Sequence, residues 1–455
     1  MIVMTLKEIA HIVQGKLLGA DSEISGVCID TRSLVVGDLY IALQGEQFDG
    51  HDFTGQAKEL GASALLVAKQ VESDLAQIIV ADTRFALAEL SGAVRNKVRT
   101  KVCGITGSNG KTTVKEMVAA ILKVNYQVLF TQGNFNNDIG VPLTLLRLQK
   151  ADQYAVIEMG ANHVGEIAYT GQYVRPDVAV ITNVGAAHIE GFGSVQGVAQ
   201  AKSEIIQSLP EQGIAVLNAD DAFFSQWCEV AGQRQVISFG INEPADISAN
   251  NIVASSSADQ FCTQFNLAIG EQHRTISLAL AGEHNVKNAL AASAACSALG
   301  VDIEQIQQGL QKVKAVNGRL QLSKAGRGYQ VINDTYNANP ESLAAALAVL
   351  KHCAGDMWLV LGEFGELGDD SEVLHYEMGK VIKATGVQRL FVTGALSENT
   401  VKAFGAGGQY FEQQKDLIAA LQQEITANVV VLVKGSRAQR MENVVNALLV
   451  EEGKI

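Results

Sequence analysis

Residues 104–113, Gly-Ile-Thr-Gly-Ser-Asn-Gly-Lys-Thr-Thr, put a glycine turn, a lysine and two hydroxyls in an order that suits a phosphate chain. The backbone N–H groups of such a turn and the N-terminus of the following helix face the anion; Lys111 adds positive charge, and the Thr112 hydroxyl is an oxygen donor for Mg²⁺. The common phosphate-loop pattern sets a glycine five residues before the second one, and that place is Ile105 here. Gly107, Ser108, Asn109, Gly110, Lys111, Thr112 and Thr113 therefore form a variant loop. They are read as an ATP-phosphate site, against the alternative of a strand-to-helix turn that binds nothing.

Other residues have chemistry that fits such a loop. Glu158 closes the apolar run Tyr-Ala-Val-Ile-Glu. A carboxylate at the C-terminal edge of a parallel strand beside a phosphate loop is an oxygen ligand for Mg²⁺, the alternative being a solvated strand-end acid. His188 follows a second apolar run at the same kind of edge, although a lone histidine is usually structural. Lys202 falls inside the helical stripe Val195, Val198, Ala199, Ile205, Ile206 and Leu209. A lysine on a buried face either snorkels to the rim or becomes a neutral amine, and such an amine can capture CO₂ as a carbamate. The stripe alone favours snorkelling. Asn285 and Asn288, three apart near a helix start, can cap the helix or read a base edge, and the spacing favours capping. Arg319 and Asp334 can reach a triphosphate and ribose, or be a surface charge and a strand-end turn. Lys434-Gly435-Ser436-Arg437 is a compact cationic turn suited to a carboxylate, or a solvated loop.

The elements that must position these groups fall into three blocks. Residues 1–98 mix a short helix, strand-like runs, Gly/Asp turns and a final apolar helix, with the basic stretch 95–101 as a linker. Residues 99–315 alternate buried apolar strands with helices, as an open parallel α/β sheet does, then carry a small antiparallel excursion and a long helix. Residues 316–455 alternate again as a smaller α/β unit. The predicted fold class is α/β with three domains: a small mixed N-terminal domain, a central P-loop mononucleotide-binding sheet and a C-terminal Rossmann-like domain.

At 455 residues, 47% hydrophobic and 18% charged, the chain suits a globular protein with large cores. A formal charge of −13 argues against a broad nucleic-acid or anionic-membrane surface, so anionic ligands need local cations, helix termini and metal. The six cysteines are scattered without metal-like spacing and are expected as reduced, mostly buried thiols. Neither a leader-like N-terminus nor an apolar run of about 18 residues stands out, and a cytoplasmic location is expected.

Taken together, these stretches resemble the Mur ligase family. Its loop reads Thr-Gly-x-x-Gly-Lys-Ser/Thr, which Thr106 to Thr112 match and which accounts for the shifted glycine. The order loop, Glu158, His188, Lys202, His-Asn-x-x-Asn, Gly-Arg and Asp334 spans the central and third blocks. Further stretches, "DTR" at 30–32, "FDGHDF" at 48–53, "GNFNNDIGVPLTLL" at 133–146, "NDTYNANPESL" at 333–343, "LGEFGELG" at 361–368 and "KGSR" at 434–437, are similar to the branch that adds a dipeptide. One departure is Phe364, where that branch commonly has Met.

The resemblance implies an ATP-dependent carboxylate–amine ligase that joins D-alanyl-D-alanine to a UDP-N-acetylmuramoyl tripeptide through an acyl phosphate and a tetrahedral intermediate. It implies Lys111 and the loop amides on the ATP phosphates, Thr112 and Glu158 on one Mg²⁺, and Glu158, His188 and carbamylated Lys202 on a second, reversing the snorkelling preference. Asn285 and Asn288 would lie by adenine, with Arg319 and Asp334 closing over the nucleotide. Asp30, Thr31, Arg32, Phe48, Asp49, Gly50 and His51 would hold the UDP sugar, and Asn134, Asn136 and Asn137 the muramyl peptide. Asn337, Asn339, Lys434, Ser436 and Arg437 would face the dipeptide. It further implies a monomer with small-molecule partners and neither nucleic acid nor membrane insertion. Rival readings are a sister ligase or folylpolyglutamate synthase adding one amino acid, and a P-loop ATPase switch that makes no bond.

Overall fold

The computed structural model describes the chain apart from residues 46, 186–188, 258, 366–369 and 450–455. Three main sheets follow one another along the sequence. The first has five strands, β1 (Lys16–Leu18), β2 (Val27–Cys28), β3 (Leu39–Ile41), β4 (Ala64–Val67) and β5 (Ala76–Ile79), in the order β1-β5-β4-β3-β2, with only β1 antiparallel to its neighbour. Helix α1 (Thr83–Asn96) then starts from Asp82, whose Oδ1 accepts the N–H groups of Arg84 and Phe85, a side-chain cap that satisfies donors the helix itself cannot.

Helix α1 packs on the helices Gly140–Leu146 and Glu166–Val174 of the next unit. One buried apolar cluster consequently runs from Met4 through Val98 and on to Ala231. Arg95 adds a hydrogen bond from Nε to the Val174 carbonyl at 3.1 Å. The stretch 95–101 is thus no loose linker: the helix reaches Asn96, the next strand begins at Lys101, and Val98 between them is buried.

The central sheet has nine strands: β6 (Lys101–Thr106), β7 (Val128–Phe130), β8 (Tyr154–Glu158), β9 (Val178–Ile181), β10 (Ile214–Asn218), β11 (Gln235–Gly240), β12 (Ile247–Ser256), β13 (Phe261–Ile269) and β14 (Gln272–Leu278). Their order is β14-β13-β12-β11-β10-β9-β6-β8-β7, parallel from β7 to β12 and antiparallel beyond. The expected antiparallel excursion is therefore an extension of the same sheet. All four residues of β9 are buried, as its unbroken Val-Ala-Val-Ile requires with helices on both faces. Helices α2 (Lys111–Leu122) and α4 (Glu283–Ala298) pack together on one face, the alanines of α4 allowing close approach; α3 (Val195–Gln207) covers the other.

The third sheet, β15 (Gln321–Lys324), β16 (Gln330–Asp334), β17 (Asp356–Gly362), β18 (Arg389–Thr393), β19 (Gly408–Phe411) and β20 (Val429–Lys434), has the order β15-β16-β20-β17-β18-β19. Only β15 is antiparallel. The edge strands β15 and β19 go beyond the sequence pattern, since "QLSK" and "GQYF" lack a buried strand's apolar run. Helix α5 (Pro340–Leu350) begins with a capping box between Asn339 and Ser342 and Pro340 at its first position.

Candidate active site

Ligand crevices of open α/β sheets lie beyond the carboxyl ends of the strands, where the strand order reverses. Here β6 has β8 on one side and β9 on the other, and the glycine loop leaves its end. Gly110 sits at φ +84°, and a Cβ there would come 2.3 Å from Asn288 Oδ1; at Gly107 it would come 1.9 Å from Thr182 Oγ1. The loop conformation therefore excludes a side chain at both glycines. Asn183, which follows β9, fixes the loop from beside it: its Oδ1 accepts the Asn109 N–H at 2.9 Å, and its carbonyl accepts the Ser108 N–H at 2.9 Å. Lys111 Nζ donates to the Gly107 carbonyl at 2.6 Å, and burial lowers its pKa while nearby Glu158 opposes the shift.

Glu158 ends β8 with a side chain only 2% exposed. Its Oε1 accepts from Asn136 Nδ2 at 2.8 Å and Thr112 Oγ1 at 3.3 Å. Its Oε2 is buried and has no hydrogen-bond partner among the described residues, with Lys115 Nζ 4.0 Å away. A buried carboxylate oxygen left over beside a hydroxyl is the hard-oxygen donor set that Mg²⁺ selects, so these residues fit the ion that the resemblance implies.

Lys202 is buried, which sets aside the snorkelling reading. Its Nζ lies 5.2 Å from the centre of the Phe192 ring. Burial brings its pKa down to about 7, with the positive charge of Lys111 adding to the shift and Glu204 and Glu166 opposing it. Val195, expected in the same stripe, is exposed on the first turn of α3. His188 lies outside the described residues.

A cavity of about 300 Å³ adjoins the loop, lined by Asn109, Asn285, Asn288, Arg319 and Asp334 among others. Asn285 and Asn288 do not cap α4, whose cap is Gly282, with no side-chain hydrogen bond. Instead Asn285 Nδ2 donates to the Ala281 carbonyl at 2.7 Å and Asn288 Nδ2 to Asn285 Oδ1 at 3.1 Å, which settles both amides into the cavity wall. His284, the histidine of the His-Asn-x-x-Asn motif to which the sequence reading gave no role, lines the same cavity. Burial pulls its pKa down to about 4 against the attraction of Asp334, so it is a neutral ring at physiological pH. Arg319 lies with its guanidinium carbon 4.2 Å from the Tyr336 ring centre, and its Nε is buried without a hydrogen-bond partner among the described residues.

A second cavity of about 270 Å³ joins Ser108, Lys111, Thr112 and Glu158 to Asn134, Asn136 and Asn137 on one side, and to Asn337, Asn339 and Arg437 on the other. Two expectations for the third domain change. Lys434 is not a free cation, because its Nζ is 2.5 Å from Asp334 Oδ2 and also donates to the Asn337 carbonyl. Ser436 is buried, leaving Arg437, paired with Glu442 at 2.9 Å, as the exposed charge of that turn.

In the N-terminal domain Asp30 caps the turn Thr31–Ser33 and forms an exposed pair with Arg32 (2.6 Å), whose hydrogen bonds lower the Asp30 pKa. Phe48 is 70% exposed. Thr31 and His51 are instead buried in the scaffold. Thr31 donates to Gln56 Oε1, and His51 holds Asp49 Oδ1 through Nδ1 (2.5 Å) while Nε2 accepts the Ala68 N–H. At Gly50 an added Cβ would meet Leu43 backbone at 2.7 Å, so this turn is tightly packed.

A phosphate loop at the switch point of a parallel sheet, a buried acid beside it and a second α/β unit across the crevice define a nucleotide-dependent α/β enzyme. Comparison with known proteins narrows the class. Residues 23–102 match the Mur ligase family catalytic domain, 105–296 the Mur ligase middle domain and 318–437 the Mur ligase glutamate ligase domain. UDP-N-acetylmuramoyl-tripeptide–D-alanyl-D-alanine ligase of Escherichia coli K12 is 46% identical over 451 residues, covering 98% of this chain and 99% of its own. The crystal structure of MurF from Acinetobacter baumannii superposes with a TM-score of 0.92 at 37% identity, covering 98% of this chain and 99% of that one. MurF from Thermotoga maritima, solved in complex with ADP, gives a TM-score of 0.83 at 30% identity over 93% of this chain and 96% of its own. The chain belongs to the Mur ligase family.

Proposed function

We infer that this chain is an ATP-dependent, ADP-forming ligase that joins D-alanyl-D-alanine to UDP-N-acetylmuramoyl-tripeptide, giving the UDP-muramoyl pentapeptide used in peptidoglycan synthesis. The observation that carries this reading is the end-to-end likeness to the Escherichia coli ligase at 46% identity.

The terminal carboxylate of the tripeptide attacks the γ-phosphorus of ATP, releasing ADP and leaving an acyl phosphate. The amine of the dipeptide then adds to the acyl carbon, loses a proton, and the tetrahedral intermediate expels phosphate. Two anions meet in the first step. The loop N–H groups of residues 107–113 and Lys111 neutralise the phosphates there. Glu158 and Thr112 would hold one Mg²⁺, and Glu158, His188 and a carbamate on Lys202 a second. The ions supply charge neutralisation at the phosphoryl oxygens. Asn285, Asn288 and His284 line the adenine side, and Arg319 and Asp334 approach from the third domain. The exposed Arg32 and Phe48, with Asp30 and Asp49 shaping their turns, face the UDP sugar; Asn134, Asn136 and Asn137 line the path of the muramyl peptide. Asn337 and Arg437 face the acceptor. The acyl phosphate hydrolyses if water enters, which gives the facing third domain a purpose in excluding it.

Among the described residues no helix is long and apolar enough to cross a membrane, and all six cysteines are free thiols. The free thiols suit a reducing compartment, and the ligase reading carries with it a cytoplasmic location and a monomer working on small molecules. The test is phosphate release from Mg-ATP with the tripeptide substrate, with and without D-alanyl-D-alanine. Release that needs both, with a pentapeptide product by mass, establishes the reaction. Release driven by a single amino acid moves the chain to a sister ligase, and release indifferent to all of them reduces it to an ATPase.

A further inference from the structure

Asn339 is expected at the dipeptide site, yet its side chain is engaged elsewhere. Its Oδ1 accepts the Ser342 N–H at 2.8 Å and so caps α5. Its Nδ2 donates across the crevice to Asn109 Oδ1, in the phosphate loop, at 3.0 Å. The residue is buried, with both ends of its amide bound to protein. Asn109 is itself held, its N–H by Asn183 Oδ1 at 2.9 Å and its carbonyl by Thr182 Oγ1 at 2.6 Å. The bond therefore joins two fixed points: the end of β9 through the loop, and the start of α5.

The turn around Asn339 touches both halves of the site. Two residues before it, the Asn337 carbonyl accepts from Lys434 Nζ at 2.9 Å, and Asn337 lines the cavity beside Lys111 and Glu158. Two residues after it, Glu341 lines the neighbouring nucleotide cavity, and a Cβ on Gly185 would come within 3.2 Å of its carboxyl carbon. A shift of the phosphate loop therefore moves the segment that faces the acceptor.

We propose that Asn339 is a positioning residue and not a ligand of the incoming dipeptide: through Asn109 it ties the start of α5 to the phosphate loop, so that the acceptor segment is set by the state of the loop. The proposal rests on the ligase reading above. The link holds the amine in line with the acyl phosphate and keeps the crevice shut while that intermediate lives.

The test uses the full chain with Asn339→Ser, Asn109→Ala and the double variant. Serine keeps a capping oxygen for Ser342 but is too short to reach Asn109. Each single variant is expected to raise KM for the dipeptide about fivefold, as the loss of one net hydrogen bond does, and Asn339→Ser, which leaves the phosphate loop intact, should do so with KM for ATP nearly unchanged. ADP formed per pentapeptide should rise above the wild-type ratio, and the double variant should be no worse than the worse single one. Mg-ADP should slow amide exchange over residues 341–345 in the wild type and in neither single variant. That readout does not depend on the acceptor, so a chain that fails to use D-alanyl-D-alanine sinks the ligase reading while exchange still decides the link. A dipeptide KM raised by Asn339→Ser alone would make Asn339 a direct ligand and overturn the proposal. Equal exchange in all four proteins would also overturn it.

Discussion

Lys434 Nζ and Asp334 Oδ2 lie 2.5 Å apart at the carboxyl ends of β20 and β16, where the two residues are register partners in parallel strands. Their side chains are 2% and 10% exposed. The register puts opposite charges side by side in the lining of the cavity of about 300 Å³, and neither is free to act alone. Lys434→Met would leave the Asp334 carboxylate buried beside an alkyl chain, at a cost of about 3–5 kcal/mol in folding stability. Urea unfolding should show this loss, with much of it recovered in Lys434→Met/Asp334→Asn. A single variant as stable as the wild type would mean that the pair does not hold the two strand ends.

Glu158 makes a different kind of prediction, because one of its oxygens is already engaged and the other is not. Glu158→Gln keeps the shape of the side chain and removes the charge. Stability should change little, whereas kcat should fall about a hundredfold or more and the Mg²⁺ concentration for half-maximal rate should rise. Titrating Mg²⁺ at saturating ATP separates the two readings of this residue. An unchanged Mg²⁺ requirement would place Glu158 outside the metal shell.

Lys202 connects pH to activity. Its pKa of about 7 means that the neutral amine is the major form above pH 7 and the ammonium below it. CO₂ adds only to the neutral amine, so a carbamate forms readily at pH 8 and is lost as the pH falls through 7. Lys202→Ala should abolish ligation, with partial recovery on adding a short-chain carboxylic acid that fills the space of the carbamate. Activity should also fall when CO₂ is stripped at pH 7 and return with bicarbonate. Full activity in the unrescued variant would remove the carbamate.

Much of the candidate site was legible in the chain because its residues sit at strand ends, where an apolar run stops at a polar residue. The loop after β6, Glu158 as the last residue of β8 and Asp334 as the last residue of β16 all carry that signature. Asn285 and Asn288 were legible as a pair but not in their role, since i,i+3 spacing is shared by caps and wall residues and only the observed helix start at Glu283 separates them. Lys434 was misleading because sequence shows a cation's neighbours along the chain, whereas its partner is 100 residues away. The Asn109–Asn339 bond, spanning 230 residues, lies beyond any local pattern. The burial of His51 and Thr31 was hidden for the same reason: their partners, Ala68 just past β4 and Gln56 in the helix Thr54–Glu59, lie 17 and 25 residues further along the chain.

Phe364, the one departure noted from the family pattern, is packed in the apolar core of the third domain. It is 3% exposed, and its ring centre lies 4.9 Å from that of His375. The Phe364 N–H donates to His375 Nε2 at 3.2 Å, while His375 Nδ1 bonds the Ser371 carbonyl at 2.7 Å. This arrangement needs the neutral ring, with its proton on Nδ1, and burial lowers the His375 pKa accordingly. A histidine whose folded pKa is depressed contributes its stability above the unfolded value, about 6.5, and loses it as the pH falls toward the folded value. Phe364→Met is close in volume and keeps the backbone bond, so it should cost less than about 1.5 kcal/mol and leave kcat and the KM values of all three substrates near wild type. His375→Phe should instead remove the acceptor for the Phe364 N–H and flatten the decline in stability between pH 6.5 and 5. Chemical denaturation of both variants across that range is the measurement, and a Phe364→Met protein with wild-type stability but altered dipeptide KM would show that the ring reaches the acceptor site after all.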